Sequence, residues 1–199
     1  MLTVDFPAAG RRERDLRAAF ALPDDLQTPN IPGRLQRSDF HAALGEIVDT
    51  TLSWRDLEWL REHCRLPLLL KGILTSEDAL LAVEHGADSV IVSNHGGRQL
   101  DGVAASIDAL PEVVEAVGER AEVLLDGGVR RGTDVLKALA LGAKSVLAGR
   151  AIVWGLAVGG EQGVLEVLEL LRAEIALGLT QLGCASPAEL GRGHVQRSA

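Results

Sequence analysis

The sequence contains few cysteines, and this scarcity excludes two kinds of structural support. Only Cys64 and Cys184 are present, far apart and without any Cys-x-x-Cys or Cys/His spacing. Zinc sites and disulfide frameworks both show such spacings in a sequence. We therefore predict two reduced thiols, no disulfide framework and no metal site.

Positive charge, a leader segment and a long apolar run are lacking as well. Twenty Lys and Arg against twenty-eight Asp and Glu give a net charge of −8, which argues against nucleic acid or an anionic membrane as the main partner. The N-terminal residues do not look like a signal peptide, and no run approaches the roughly 18 uninterrupted apolar residues of a membrane span. We expect a cytoplasmic protein without a nucleic-acid or membrane partner.

What the sequence does contain is an alternation of apolar runs and helical patterns. Hydrophobic residues make up 47% of the 199 positions, enough to bury a sizeable core. From residue 66 onward the alternation is typical of βα units and a parallel sheet. A complete eight-stranded βα barrel takes about 250 residues, so a barrel protein of this length would be abridged.

Four βα units are predicted between residues 66 and 150. Their strands are nearly continuous apolar runs, as expected for strands covered on both faces: LPLLLKGI with its strand at about 67–73, SVIVSNH from 89, EVLLDGG from 122 and SVLAGR from 145. The return helices are predicted for a Thr75-capped segment ending at Gly86, for 106–117 and for 133–141.

The flanking regions are organised differently, although we predict one domain for 1–199. Before the four units, we expect a strand stub at 2–5 and an amphipathic helix at 53–64. Between them, we expect the charged segment after the stub to be a loop, and a long loop around 29–38. In that helix Trp54, Leu57 and Leu60 share one side, and its tryptophans are interpreted as core residues. After the units, in 151–199, a long final helix is predicted over 161–182, with a tail behind it.

Polar side chains follow every predicted strand. In βα barrels ligands bind at this end of the strands. Glycines there let the backbone approach an anion and expose amide donors, and a phosphate is often held after the last two strands. We therefore predict a phosphate site; the alternative is tight-turn glycines with solvated arginines. Its candidate residues are Gly127, Gly128, Arg130, Gly149 and Arg150.

Three further residues suggest chemistry beside that phosphate site. His95 follows a buried strand and precedes two glycines, and an imidazole is suited to taking a proton at physiological pH. Arg98 is suited to binding a carboxylate through two parallel hydrogen bonds. Lys71 lies in an apolar strand, where an ammonium needs an anion or an electron-rich ring nearby; the alternative is a lysine that reaches solvent at the rim.

Three segments together carry a resemblance to a known family: LPLLLKGI, SNHGGRQLD and DGGVRRGTDVLKALALGAKSVLAGR. They resemble the FMN-dependent 2-hydroxy-acid dehydrogenases, which include glycolate oxidase and lactate oxidase. The opening LTVDFPAAGRRERDLRAAFALP is similar to the segment around that family's fourth strand. The resemblance implies an α/β fold, namely the second half of a (β/α)8 TIM barrel from the end of strand 4 to helix 8. It also implies FMN as cofactor and oxidation of an (S)-2-hydroxy acid to a 2-oxo acid.

The resemblance implies a role for each candidate residue. His95 would be the catalytic base, Asp5 the carboxylate that orients it, and Arg12 and Arg98 the clamp on the substrate carboxylate. The cofactor-binding residues would be Lys71 near the flavin N1/O2 edge, Thr3 and Ser93 on the flavin, and, around the ribityl and phosphate part, Asp126, Gly127, Gly128, Arg130, Gly149 and Arg150.

The sequence departs from the family pattern in two respects. The family barrel has three complete strands ahead of the one that begins at Leu2, and it uses two active-site tyrosines, whereas this chain has no tyrosine. We expect a fragment with impaired activity on its own, a small 2-hydroxy acid as substrate, and either a separate N-terminal half-barrel chain or a second copy as partner. The alternatives are a non-catalytic remnant or an FMN- or phosphate-binding half barrel that needs a partner. A relative of the flavin-dependent isopentenyl diphosphate isomerases is disfavoured by SNHGGRQLD.

Overall fold

The structure is a computed structural model that describes residues 1–20, 23 and 48–197. The loop predicted around 29–38 lies outside the described residues. In chain order the elements are β1 (Leu2–Thr3), α1 (Glu13–Arg17), α2 (Arg55–His63), β2 (Leu69–Ile73), α3 (Ser76–Glu84), β3 (Ser89–Val92), α4 (Ser106–Val117), β4 (Glu122–Asp126), α5 (Gly132–Ala140), β5 (Ser145–Leu147) and α6 (Arg150–Leu182), followed by the short 3-10 turns Pro187–Glu189 and Arg192–His194.

The five strands form one parallel sheet in the order β1-β2-β3-β4-β5. Each strand pairs with the next one in the chain: Leu70 pairs with Leu2 on one side and with Val90 on the other. All four residues of β3 are buried, as expected for the central strand of a parallel sheet. The predicted α/β architecture with a parallel sheet is confirmed.

The core lies between the sheet and the helices α3, α4 and α5. The cap predicted for α3 is present, since the Thr75 hydroxyl accepts a hydrogen bond from the Asp78 amide at 3.2 Å. Helix α4 spans the predicted residues and turns its apolar side toward the strands. The largest fully buried apolar side chains are Leu70, Ile73, Val90, Ile91, Val92, Leu110, Val113, Val117 and Leu125.

The last helix begins earlier than predicted. We expected strand residues up to Arg150 and a helix from residue 161, but β5 ends at Leu147 and α6 begins at Arg150. The glycines caused this error: Gly159 and Gly160 have non-helical backbone angles and kink α6, so that the predicted helix corresponds to the segment after the kink. The helical segment before the kink begins shortly after β5. Its glycines made it hard to recognise in the sequence.

Two smaller expectations are also corrected. The charged segment after β1 was expected to be a loop, yet it contains the helical turn α1. The tryptophans of α2 were expected in the core, but only Trp54 packs against it, whereas Trp59 is 60% exposed and stacks on His63. Helical spacing explains the difference, since Trp59 lies on the face of α2 opposite Leu57.

Helix α6 leaves much apolar surface uncovered. Its second half packs on α5. There Gly132 lies so close to the backbone of Glu174 and Ile175 that no space is left for a side chain at this position. By length and composition α6 is also apolar enough to cross a membrane, which is weak evidence for a span, and the absence of a membrane partner stays a prediction. Its exposed large side chains are Val153, Trp154, Leu156, Val158, Leu165, Leu168, Leu170, Leu177 and Leu182.

A leucine pair tests where the core lies. Leu110 in α4 has no exposed surface, whereas Leu66 before β2 is 72% exposed. We expect Leu110→Ala to lower the free energy of unfolding by about 2–5 kcal/mol, since the lost side chain leaves a cavity. Leu66→Ala should change it by no more than about 0.5 kcal/mol. Urea unfolding followed by circular dichroism measures both, and equal effects would contradict the described core.

Candidate active site

A buried polar network joins three neighbouring strands at one rim of the sheet. Lys71 lies in β2, Ser93 directly follows β3, and Asp126 is the last residue of β4. The Lys71 ammonium lies 2.8 Å from Asp126 Oδ2 and donates to the Ser93 hydroxyl at 2.9 Å. The side chains of Lys71 and Asp126 are only 12% and 16% exposed, so each charge compensates the other in a partly dehydrated place.

Ser93 completes this network from its centre. Its side chain is fully buried. The hydroxyl donates to Asp126 Oδ2 at 2.7 Å and accepts from Lys71 and from the amide of His95, the latter at 3.0 Å. One hydroxyl therefore uses its donor and both acceptor positions, and it links the charged pair to the backbone of the histidine loop.

His95 contacts a carboxylate that comes from the opposite end of the sequence. Its Nδ1 lies 2.9 Å from Asp5 Oδ1, and both side chains are largely buried. An ionised carboxylate only accepts hydrogen bonds, so the hydrogen in this contact is on Nδ1. In the neutral imidazole the other nitrogen, Nε2, is then left without a hydrogen and can take a proton. The backbone of His95 has a φ of 57°, which is uncommon for a residue other than glycine.

A glycine in β2 makes the position of Asp5 possible. Gly72 has a φ of 115°, and a Cβ at this position would lie 2.5 Å from the Cβ of Asp5 and 2.8 Å from its amide nitrogen. Any larger residue would therefore push the Asp5 segment away from β2. The other carboxylate oxygen of Asp5, Oδ2, is buried and has no hydrogen-bond partner among the described residues.

Two arginines place positive charge next to the histidine and aspartate. Burial lowers the pKa of Arg12, the nearby charge of Arg98 lowers it further, and Asp15 partly offsets both. Arg12 Nε is buried and lacks a hydrogen-bond partner within the described part of the chain. Two like charges held close together, one with an unused donor, are suited to binding an anion with more than one oxygen, such as a carboxylate.

The loops after β4 and β5 surround a cavity of about 250 Å³. Gly128 has a φ of 77°, and no atom of the described residues lies within 4 Å of a Cβ built on it or on Gly149. Arg150 donates to the Gly96 carbonyl at 2.7 Å, which ties the start of α6 to the histidine loop. The predicted site residues that line this cavity are Lys71, His95, Arg98, Asp126, Gly127, Gly128, Arg130, Gly149 and Arg150.

The remaining predicted site residues lie elsewhere. Asp5, Arg12 and Ser93 line an adjoining groove that also includes Arg98. Thr3 pairs with Lys71 in the sheet but lines a different cavity, next to Trp54. The roles assigned to these residues stay predictions.

Sequence reasoning missed two residues that support the site, Ser106 and Gln99. Ser106 accepts from the Asn94 amide at 3.2 Å and lies against Gly127. Gln99 binds the segment after β1. Gln99 was visible only as one polar residue of SNHGGRQLD, because no spacing reveals a contact with the other end of the chain.

A comparison with known families identifies the class of this protein. The model of the family "FMN-dependent dehydrogenase" matches residues 1–197. The chain belongs to this family, whose members are oxidoreductases with FMN as cofactor. The predicted family is therefore confirmed, and FMN is the cofactor of that family.

Individual relatives are similar over nearly the whole of this chain. Over 92% of this chain, the sequence is 52% identical to the L-lactate oxidase of Nostoc sp.. Over 98% of this chain, it is 49% identical to the glycolate oxidase of Spinacia oleracea. These matches cover 53% and 54% of the two relatives. The chain thus spans about half the length of the curated relatives it matches.

Solved structures agree with this result. A mandelate oxidase structure with (S)-4-hydroxymandelic acid superposes with a TM-score of 0.88 at 44% identity, covering 96% of this chain and 55% of that one. Another with (S)-2-phenylpropionate gives a TM-score of 0.82 at 46% identity, with 96% and 52% covered. The predicted partial TIM barrel is confirmed.

A glycine pair tests the close approach of Asp5 to β2. Gly72→Ala and Gly97→Ala both place alanine at a positive φ, but nothing lies within 4 Å of a Cβ at Gly97. We expect the positive φ to cost about 1–2 kcal/mol in both variants. The clash with Asp5 should add about 1–3 kcal/mol in Gly72→Ala only. Urea unfolding measures the difference, and equal destabilisation would show that Asp5 does not pack on Gly72.

Proposed function

We propose that this chain supplies the acid–base, substrate-carboxylate and phosphate-binding groups of an FMN-dependent enzyme that oxidises an (S)-2-hydroxy acid to a 2-oxo acid. The observation that carries the proposal is the contact between His95 Nδ1 and Asp5 Oδ1, next to Arg12 and Arg98 and open to the cavity lined by Lys71. The relatives named L-lactate, glycolate and mandelate oxidase support this substrate class.

The residues around the cavity fit the two ends of FMN. At one end, Gly128 and Gly149 leave open space where a Cβ would stand, and Arg130 and Arg150 supply positive charge, which suits a phosphate. At the other end is the ammonium of Lys71, which suits an electron-rich ring. When bound, FMN supplies a two-electron acceptor. The Lys71 charge would stabilise negative charge that arises near it.

His95 is the group that takes a proton from the substrate. Oxidation of a 2-hydroxy acid to a 2-oxo acid removes two electrons and two protons. Because the hydrogen on Nδ1 is directed at Asp5, the lone pair of Nε2 is free to accept one of these protons. The imidazolium that forms is stabilised by the carboxylate of Asp5 at 2.9 Å, as in other acid–base pairs where a carboxylate orients a histidine.

Arg12 and Arg98 position the substrate by its carboxylate. Arg98 is exposed and lies three residues after the histidine, whereas Arg12 is partly buried and approaches from the segment after β1. A carboxylate between them would offset both the burial and the repulsion by Arg98 that lower the pKa of Arg12. Binding at two points fixes the orientation of the hydroxyl-bearing carbon relative to His95.

We further propose that full activity requires a polypeptide equivalent to the part of the relatives that this chain does not match. Among the described strands, β1 and β5 each have a neighbour on one side only. Exposed parallel edges and the uncovered apolar side chains of α6 favour association with such a partner. A second copy of this chain is the alternative partner, and sedimentation would reveal it as a homodimer.

The 199-residue chain alone should bind FMN weakly, because the glycine loops anchor the phosphate end while only part of the ring pocket is present. We expect nearly colourless purified protein. Arg150→Ala should raise the dissociation constant for FMN about tenfold, since one charged hydrogen-bonding group is lost. Arg172→Ala, whose side chain binds Glu169 on the same helix, is the matched control. Flavin fluorescence titration measures each constant.

A stoichiometric yellow complex that survives gel filtration would contradict weak binding by this chain. Equal dissociation constants for Arg150→Ala and the unchanged chain would contradict the phosphate site.

Activity is tested after fusing this chain to the part of the Spinacia oleracea glycolate oxidase that it does not match. His95→Ala should slow anaerobic flavin reduction by glycolate, lactate or mandelate at least about 100-fold, the usual contribution of an acid–base group. FMN should stay bound, because the phosphate loops are unchanged. His63→Ala, on the exposed end of α2, is the matched control. Stopped-flow loss of flavin absorbance measures the rate.

The arginine clamp is tested in the same fusion. Arg98→Lys should weaken substrate binding about tenfold with little effect on FMN, since an ammonium cannot make the two-point contact. Arg65→Lys, an exposed arginine before β2, is the control. Flavin reduction at the parental rate in His95→Ala would exclude His95 as the base, and bound FMN without reduction in the parental fusion would favour a non-catalytic flavin-binding protein.

A further inference from the structure

Gln99 joins the two segments that carry the paired site residues. It lies in the loop after β3, and its side chain reaches the segment after β1. Its Nε2 donates to the carbonyls of Asp5 at 2.9 Å and Ala8 at 3.0 Å, and its Oε1 accepts from the amide of Gly10 at 3.2 Å. Through these three hydrogen bonds, one side chain binds a segment about ninety positions away in the sequence.

The chemistry of the side chain matches this use. A primary amide has two N–H donors and one carbonyl acceptor, and all three are occupied here. A glutamate of the same size would face the two carbonyls with oxygen atoms only, and an alkyl side chain would leave three backbone groups without partners. Glutamine is therefore the residue type that this contact requires.

Gly10 provides a second, independent observation. A Cβ at Gly10 would overlap the carbonyl oxygen of Arg98 and lie 2.8 Å from the Cα of Gln99. The φ of Gly10 is not positive, so the requirement for glycine is one of space and not of backbone conformation. The two segments thus lie in direct backbone contact next to the three hydrogen bonds of Gln99.

The position of this contact connects it to the site. The segment after β1 carries Asp5 and Arg12, and the loop after β3 carries His95 and Arg98. Asp5 binds two residues of the loop after β3: its carboxylate contacts His95, and its backbone carbonyl accepts a hydrogen bond from Gln99. An Asp5 backbone held by Gln99 keeps the carboxylate within hydrogen-bond distance of Nδ1.

We propose that Gln99 is a positioning residue that holds the Asp5 segment against the histidine loop and thereby keeps the hydrogen of His95 on Nδ1. This proposal rests on the proposed function, in which the free Nε2 of His95 accepts a proton. Gln99 itself contacts neither substrate nor cofactor in this arrangement.

The test is the tautomer of His95 in the 199-residue chain, read from nitrogen-15 NMR of histidine-labelled protein at alkaline pH. The His95 signals are assigned by their loss in His95→Ala. In the unchanged chain we expect a protonated Nδ1 and an unprotonated Nε2, with well-separated resonances. In Gln99→Ala and in the same-sized Gln99→Glu, the two resonances should move toward each other as both tautomers become populated.

The matched control is Gln162→Ala, because that glutamine is exposed on α6 and its side chain binds Glu166 on the same helix. It should keep the parental tautomer, and circular dichroism at the temperature of the NMR experiment should show that every variant is folded. An unchanged tautomer in Gln99→Glu would show that the proposal is wrong. The spectra need neither FMN nor substrate, so this result is separate from failure of flavin reduction in the fusion, which would contradict the proposed function alone.

Discussion

The ion pair between Lys71 and Asp126 is the interaction on which the rest of the site depends. These residues belong to β2 and β4, which are not neighbours, since β3 lies between them. Their 2.8 Å contact therefore crosses the middle strand, and Ser93 fills the gap directly after that strand. Removing either charge would leave the other unpaired in a partly buried place, which costs more than exchanging both for neutral groups.

The same network connects the proposed cofactor side of the site to the proposed acid–base side. Ser93 binds the His95 amide as well as the charged pair, and His95 in turn binds Asp5. A continuous chain of hydrogen bonds thus runs across the rim from β4 to the segment after β1. Displacement of one member would alter the position of the others, because every donor and acceptor of Ser93 is in use.

The exposed apolar surface of α6 and the two single-sided edge strands are the features that a folded chain of this length would not be expected to keep uncovered. Because the chain matches only about half the length of its relatives, we propose that the unmatched half would cover this surface. In the proposed assembly, the phosphate loops and the histidine loop come from this chain, and the remaining wall of the pocket comes from its partner.

Local patterns were sufficient for much of the fold. The period of the apolar residues located α4, the hydroxyl of Thr75 marked the start of α3, and the apolar runs located β2 to β5, because these features depend on near neighbours in the chain. The start of α6 was not predictable in this way, since Gly159 and Gly160 interrupt the pattern while the helix continues before them. For Trp59, an aromatic side chain was mistaken for a core residue although its face of α2 points outward.

By itself, the sequence determined that Lys71, His95 and Asp126 share one rim, because each lies in or just after a strand of a parallel sheet. It also predicted a phosphate site from the glycines and arginines at the strand ends, and this site stays a prediction. Only the tertiary structure showed that Gly72 leaves space for Asp5, that Gly10 lets the segment after β1 lie against the loop after β3, and that Gln99 binds this segment. Such contacts depend on how closely two backbones about seventy to ninety residues apart approach each other, and no local pattern encodes that distance.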